Sequence, residues 1–275
     1  MSRPFVKMNG LGNAFVIVEA ASSPFAPTEE EARAIADPET GVGCDQIIAL
    51  GPSRSAEAAM RIWNADGGEV DACGNGARCA AWLMMRASTR ESVRIETPAG
   101  MLEARIAGEM RVSVDLGAPK LDWRDIPLSE AMDTRGIELS IGPVEAPIAH
   151  TPGCVSMGNP HVVFFVNDAE AAPAAEMGPM IEHHPLFPQR ANVGFAQAIS
   201  PERIRLRVWE RGVGLTRACG TGAAAALVAA HRRGLAARAA ALELDGGELS
   251  VEWRASDDHV IITGPVEVEF IGVLP

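Results

Sequence analysis

The chain repeats itself. The segment Arg61-Ile-Trp-Asn-Ala-Asp-Gly-Gly-Glu-Val-Asp-Ala-Cys73-Gly-Asn-Gly-Ala returns as Arg207-Val-Trp-Glu-Arg-Gly-Val-Gly-Leu-Thr-Arg-Ala-Cys219-Gly-Thr-Gly-Ala. The offset from Cys73 to Cys219 is 146 residues, and it also carries Gly12-Asn13 onto Gly158-Asn159 and Gln46 onto Asn192. After the cysteines the likeness continues with a slip of one residue, Pro98-Ala-Gly-Met-Leu-Glu-Ala against Asp245-Gly-Gly-Glu-Leu-Ser-Val. A unit used twice constrains the fold strongly, because each copy must bury its own apolar face in the same way. Duplicated units commonly pack about a pseudo-twofold axis, which is expected to set matched residues on opposite sides of one central cleft.

The matched positions separate chemistry from packing. Of the five cysteines, only Cys73 and Cys219 fall on each other; Cys44, Cys79 and Cys154 fall on Arg190, Ala225 and Met8. Buried cysteines exchange readily with other small apolar residues, so those three read as core filler. An odd number of cysteines, none in a Cys-x-x-Cys pair, in a chain of 275 residues argues against a disulfide framework and against a zinc site. No metal is expected.

Local patterning gives two similar α/β units. Val93-Arg-Ile-Glu-Thr, Arg111-Val-Ser-Val-Asp and Arg203-Ile-Arg-Leu-Arg-Val-Trp alternate apolar with polar, as half-buried strands do. After each matched cysteine the pattern turns helical, over Ala77 to Arg86 and Ala223 to Arg233, with Gly234 as a stop. Each cysteine therefore sits where a loop enters a helix. The seam between the units is expected near Gly117-Ala-Pro119, and the last strand-like run, Val260 to Val273, is expected to close a sheet edge.

A helix start offers unpaired N–H groups and a partial positive charge. In Cys-Gly-Asn-Gly and Cys-Gly-Thr-Gly the glycines let backbone approach a ligand closely. Both a thiolate and a substrate carboxylate suit such a place, and the thiol pKa is expected to be lowered toward working pH. One cysteine as thiolate base and the other as thiol acid can take a proton from one face of a carbon and return it to the other. The expected reaction is inversion at the α-carbon of an amino acid, with the developing charge met by the two helix starts. The matched Asn13 and Asn159, Gln46 and Asn192, and Asn64 and Glu210 should line the same site, and Arg211 can grip a second carboxylate in a bidentate pair. His161, beside Pro160, is placed to tune a nearby thiol. The sequence has no Gly-x-Gly-x-x-Gly or phosphate loop, and no convincing lysine setting for pyridoxal phosphate, so the expectation is catalysis without a cofactor.

Composition narrows the partners. With 24 lysines and arginines against 36 aspartates and glutamates, the charge of −12 disfavours nucleic acid and anionic membrane surfaces. The apolar run Ala223 to Ala230 is far short of the roughly 20 residues that cross a bilayer, and Met1 to Met8 runs into polar Asn9 before a signal-peptide core can form. A cytoplasmic protein is expected.

Taken in order, the motifs resemble those of the diaminopimelate epimerase family along nearly the whole chain: Gly10 to Asn13, Gly41 to Gln46, Asn64 to Gly67, Cys73-Gly-Asn-Gly-Ala-Arg-Cys79, Gly158-Asn-Pro-His161, Glu210-Arg-Gly212, Ala218-Cys-Gly-Thr-Gly222 and Thr263-Gly-Pro265. The resemblance implies an α/β (α+β) fold of two pseudo-symmetric domains, each a curved, mostly antiparallel sheet wrapped round a central helix. The domains would be 1–117 plus 264–275 and 118–263. It implies interconversion of LL- and meso-diaminopimelate on the way to lysine and peptidoglycan. It makes Cys73 and Cys219 the proton-transfer pair, with Gly74, Asn75, Gly220 and Thr221 at the reacting carboxylate. Asn13, Asn64, Asn159, Asn192 and Arg211 would recognise the distal end, with Gln46 adjacent, while His161 and Glu210 influence the cysteines. Ala14 departs from the family's common aspartate. The absence of tyrosine removes any tyrosine-based dimer contact and leaves a homodimer open.

Two other readings compete. A proline or hydroxyproline racemase-like enzyme, or a one-carboxylate isomerase, would share the fold but change the residues round one or both cysteines. A thiol-redox or binding protein would use Cys73 and Cys219 as an oxidisable pair and would not depend on diaminopimelate.

Overall fold

The computed structural model describes residues 3–71, 73–143 and 145–274. Met1 and Ser2 of the N-terminal stretch, Ala72 of the repeated segment, Val144 and Pro275 lie outside the described residues. The chain divides into two compact units, Met1–Asp115 with Thr263–Pro275, and Leu116–Ile262.

The first unit runs β1 (Arg3–Gly10), β2 (Asn13–Glu19), α1 (Glu29–Ala36), β3 (Gln46–Gly51), β4 (Ala58–Asn64), β5 (Glu69–Val70), α2 (Gly74–Ser88), β6 (Ser92–Thr97), β7 (Gly100–Gly108) and β8 (Arg111–Asp115). The second runs β9 (Ser140–Ile141), β10 (Ala149–His150), β11 (Gly153–Ser156), β12 (Pro160–Phe165), α3 (Ala174–Glu182), β13 (Asn192–Ser200), β14 (Arg203–Glu210), β15 (Gly214–Thr216), α4 (Gly220–Arg232), β16 (Ala239–Leu244) and β17 (Gly247–Trp253), and in β18 (Val260–Pro265) the chain passes from the second unit to the first after Ile262. The last strand, β19 (Glu267–Leu274), rejoins the first unit by pairing antiparallel with β1.

The duplication reaches down to the register. In the first unit β2 and β3 are parallel with Phe15 opposite Gln46, and in the second β12 and β13 are parallel with His161 opposite Asn192. Ile47 lies opposite Trp63, as Val193 lies opposite Trp209. The slip after the helix is visible too: Ser92 faces Arg105, and Ala239 faces Glu252, one residue beyond the earlier offset. Most other pairings are antiparallel, which gives the mixed, sheet-dominated α+β class with few helices.

Each unit sets one apolar helix against several of its strands. α2 packs on β1, β2, β3, β6, β7 and β8, and α4 on β11, β12, β13, β14, β16 and β17. A helix touched on so many sides is apolar over most of its surface, and in α4 Ala223 through Ala230 are all buried. Alanine combines high helix propensity with a small side chain that lets the strands come close. α2 ends where Thr89 turns left-handed at φ 55° and its N–H bonds the Met85 carbonyl. Cys44 and Cys154 sit in the two apolar cores, and Cys79 is fully buried in α2.

Two expectations on element bounds are corrected. The run from Val260 to Val273 is two strands, because Val266 leaves the ladder to donate its N–H to the Met110 carbonyl between β18 and β19. Both helices also start earlier than their apolar patterns, at Gly74 and Gly220, since the glycines after each cysteine are already helical.

Candidate active site

Both matched cysteines are helix N-caps. Cys73 has extended backbone, φ −146° and ψ 113°, and its sulfur accepts from the Gly76 N–H at 3.4 Å. Cys219, at φ −126° and ψ 109°, accepts from the Gly222 N–H at 3.3 Å. The extended cap conformation turns the side chain back over the first helical turn, where N–H groups lack intrahelical partners. The third residue after each cysteine must be small. A Cβ on Gly76 would meet Ile48 Cδ1 at 2.8 Å, and one on Gly222 would meet Cys219 Sγ at 3.1 Å and Val208 Cγ2 at 3.2 Å.

In the first unit, the predicted residues Asn13, Asn75, Gln46 and Asn64 form two tied pairs. Asn75, buried in the first turn of α2, donates to Asn13 Oδ1 at 2.7 Å, and Gln46 donates from Nε2 to Asn64 Oδ1 at 2.8 Å. Gly74 is buried beside them. Asp45 completes the cluster, accepting from the Ala14 N–H at 2.8 Å and from Asn13 Nδ2 at 3.5 Å. A carboxylate thus meets the backbone of Ala14.

In the second unit the same bond recurs in altered form. Asn159 donates to Thr221 Oγ1 at 3.3 Å, and Thr221 Oγ1 lies 3.6 Å from Cys219 Sγ. His161 Nε2 is 3.0 Å from Asn159 Oδ1. Asn192 donates to the Pro160 carbonyl at 2.9 Å and accepts from the Arg211 N–H at 3.0 Å. Glu210 accepts from Thr216 Oγ1 at 2.5 Å and shares a hydrogen bond with Cys219. Gly220 is buried in the turn after the cysteine. The Arg211 side chain is exposed and donates to the Gln189 carbonyl at 3.0 Å.

The electrostatics correct one expectation. Burial, and next the charge of Glu210, push the Cys219 thiol well above its ordinary value, despite its place at a helix start. The helix terminus contributes through the Gly222 N–H, but desolvation of a thiolate outweighs it. Glu210 is itself raised by burial, with Thr216 and Cys219 opposing. His161 is held down to about 3 by burial and by Arg211, so near neutral pH it is an uncharged ring bonded to Asn159 and not a cation beside a thiol. Burial pushes Cys44, Cys79 and Cys154 up to about 12, which keeps them protonated.

Three residues of these clusters are given no role by the sequence reading. Asp45 falls on Ala191 and Thr216 on Val70 under the duplication, so matching one copy against the other removes them. Glu182 receives the Trp209 Nε1–H at 2.8 Å and the Gly212 N–H at 3.0 Å, fixing the turn that carries Arg211. Its signal, a glutamate in the apolar run Met-Gly-Pro-Met-Ile-Glu, does not stand out without the fold.

The diaminopimelate epimerase family matches the chain over residues 5–121 and 153–269. A diaminopimelate epimerase from Phenylobacterium zucineum (strain HLK1) is 63% identical, covering 100% of this chain and 99% of the relative. Another from Caulobacter vibrioides (strain NA1000 / CB15N) is 55% identical, covering 100% and 98%. Among solved structures, a hydroxyproline epimerase from Agrobacterium vitis superposes with a TM-score of 0.71 at 17% identity, covering 99% of this chain and 91% of that one. A phenazine biosynthesis protein of the PhzF family from Bacillus anthracis gives 0.68 at 17% identity, covering 100% and 99%. These two likenesses establish the fold alone.

Proposed function

The chain belongs to the diaminopimelate epimerase family, and from that premise we propose that Cys73 and Cys219 are its two proton-transfer groups, interconverting LL- and meso-2,6-diaminopimelate by a two-base thiolate and thiol mechanism. The observation that carries the reading is the equivalence of the two sulfurs: each caps the helix that follows the same two strands of its unit, and each receives the N–H three residues on. One sulfur, as thiolate, removes the α-proton from one face. The other, as thiol, delivers a proton to the opposite face, and the reverse reaction exchanges the roles.

The remaining site residues are assigned by chemistry. The N–H groups at Gly74, Asn75, Gly220 and Thr221 suit the reacting carboxylate, where charge develops as the α-proton leaves. Asn13, Gln46, Asn64, Asn159, Asn192, Glu210 and Arg211 suit the two ends of a zwitterion, with Arg211 on the distal carboxylate. Glu210 further modulates Cys219, and His161 acts through Asn159. The domains proposed are 1–117 with 264–275, and 118–263. A homodimer is the proposed assembly, supported by the exposed apolar side chains of Ile271 and Val273 on β19; sedimentation at twice 29.0 kDa is the expected result. The cytoplasm is the proposed compartment, because the chemistry needs two reduced thiols.

The test is incubation of the reduced protein with LL-diaminopimelate in deuterated water without added cofactor. Meso product carrying α-deuterium is expected, and both Cys73→Ala and Cys219→Ala should abolish it. Reduced protein that neither exchanges nor inverts would remove diaminopimelate as substrate.

A further inference from the structure

Arg78 lies in the middle of α2 with none of its side chain exposed, and among the described residues its Nε, Nη1 and Nη2 atoms have no hydrogen-bond partner. An unpaired buried guanidinium costs several kcal/mol, a cost that a use of its charge elsewhere in the site would offset. The fold itself does not require it. The equivalent position in α4 is Ala224, fully buried in the same type of helix against the same type of sheet.

The surroundings of Arg78 say where its charge acts. Burial lowers it to about 10, which leaves it a cation at neutral pH, and the groups coupled to it are Cys79, Cys73 and, with opposite effect, Arg111 of β8. Four other charges on strands packed against α2 are engaged elsewhere, while Asp115 ends β8, four residues beyond Arg111. Lys7 of β1 pairs with Glu269, Arg94 of β6 with Glu57, Arg105 of β7 with Glu103, and Glu96 of β6 accepts from Ser53 and Ser55. Of the two thiols, Cys79 is fully buried and pushed up to about 12, so it stays neutral. Cys73 is half-buried, with the Gly76 N–H aimed at its sulfur. Arg78 stands in the second turn of α2, two residues beyond the Gly76 whose N–H meets the Cys73 sulfur, and helical side chains lean toward the N-terminus, which is the end that Cys73 caps.

We propose that Arg78 is a positioning residue, the internal counter-cation that holds Cys73 as a thiolate in the resting protein. The inference rests on the assignment of Cys73 as a proton-transfer group. It gives the two half-sites opposite charge: a buried cation serves Cys73, whereas the carboxylate of Glu210 serves Cys219. A pair so biased starts with one base and one acid already in place.

The test reads the sulfur without turnover. In a Cys219→Ala background, alkylation of Cys73 by iodoacetamide is followed by peptide mass from pH 5 to 10. With Arg78 present the midpoint is expected below the ordinary thiol value of about 8.5. Arg78→Met should raise it by about one unit, slowing alkylation near neutral pH roughly tenfold, and Arg78→Lys should restore part of the shift. A midpoint at or above about 8.5 with Arg78 intact overturns the proposal, as does an unmoved midpoint in folded Arg78→Met. If Arg78→Met does not fold, the midpoint of the Arg78 protein decides. Because no substrate is used, failure here is distinguishable from failure of the deuterium experiment.

Discussion

Asn75 donates from its side chain to Asn13 at 2.7 Å, tying the first turn of α2 to the start of β2, and 146 residues later Thr221 and Asn159 repeat the tie at 3.3 Å with donor and acceptor exchanged. A hydrogen bond preserved while its chemistry changes marks a contact that both copies need. In each copy it fixes an amide beside the residue two after the cysteine. Asn75→Ala should leave Asn13 without its donor and cost about 1 kcal/mol of stability. The catalytic loss should be larger, roughly tenfold in kcat/KM, because the same side chain orders the Asn13 amide proposed to bind substrate. Steady-state assays beside denaturant titrations check both; loss confined to stability would reduce the bond to packing.

Each cysteine should be separable from its partner by isotope. Cys73→Ala and Cys219→Ala are expected to lower inversion by roughly 10²–10⁴-fold or more, since each removes one of the two proposed acid–base groups. In the Cys→Ser variants, wash-in of solvent deuterium starting from each isomer in turn reveals which sulfur serves which face. Cys73 is expected to act on the LL form and Cys219 on the meso form. Equal exchange from both isomers in both variants would contradict the division of labour.

Glu210→Gln removes the carboxylate whose charge and hydrogen bond both raise the Cys219 thiol. The sign is therefore a downward move of the Cys219 midpoint, with faster alkylation at mildly alkaline pH, while burial keeps it above an ordinary thiol. Turnover should fall as thiol reactivity rises, because a proton donor has become a weaker match to its task. Alkylation titration in a Cys73→Ala background measures the midpoint.

Much of this site was legible before the fold because duplication places equivalent residues equivalently. The offset found Cys73 with Cys219, Asn13 with Asn159 and Gln46 with Asn192, and the register of β2–β3 and β12–β13 follows it residue for residue. What it concealed is asymmetry. Arg78 falls on Ala224, Asp45 on Ala191 and Thr216 on Val70, so the residues that charge or brace the two halves differently vanish in the comparison. The elevated Cys219 thiol was hidden for another reason: a helix start announces itself in the sequence, but the burial that overrides it depends on strands distant in the chain. α1 and α3 were also missed, the first because it is eight residues long and the second because Pro179 lies inside it.

Gly76→Ala tests why the motif needs its last glycine. The new Cβ would come within 2.8 Å of Ile48 Cδ1 and 3.3 Å of the Phe15 ring. Ile48 and Phe15 are both fully buried, so neither side chain can move aside freely and a cost of roughly 1–3 kcal/mol is expected. Gly212→Ala, where a Cβ meets nothing within 4 Å but φ is +73°, separates backbone strain from crowding. Thermal melts of the two variants should rank Gly76→Ala as the less stable if packing dominates.

His161 gives the pH prediction. Its ring is buried and held down to about 3 in the folded protein, against about 6.5 for an unperturbed histidine. Between those values the unfolded chain binds a proton that the folded protein refuses, so stability falls as pH drops through this window and is flat above it. At about 1.4 kcal/mol per pH unit, the loss at pH 5 is roughly 2 kcal/mol relative to neutral pH. Asp133 and Asp257, each held near 2 by a neighbouring arginine, lose their contribution only at lower pH, and Glu210, raised by burial, acts in the opposite sense but equally in wild type and variant, so the comparison of the two isolates the histidine. The measurement is unfolding free energy of the wild type and of His161→Gln at pH 5 and pH 7. The variant is expected to be less stable at neutral pH, where the packed ring is lost, yet to show little further loss on acidification. A slope as steep as that of the wild type would mean that His161 accepts its proton in the folded state, and would restore it as a charged neighbour of the second half-site.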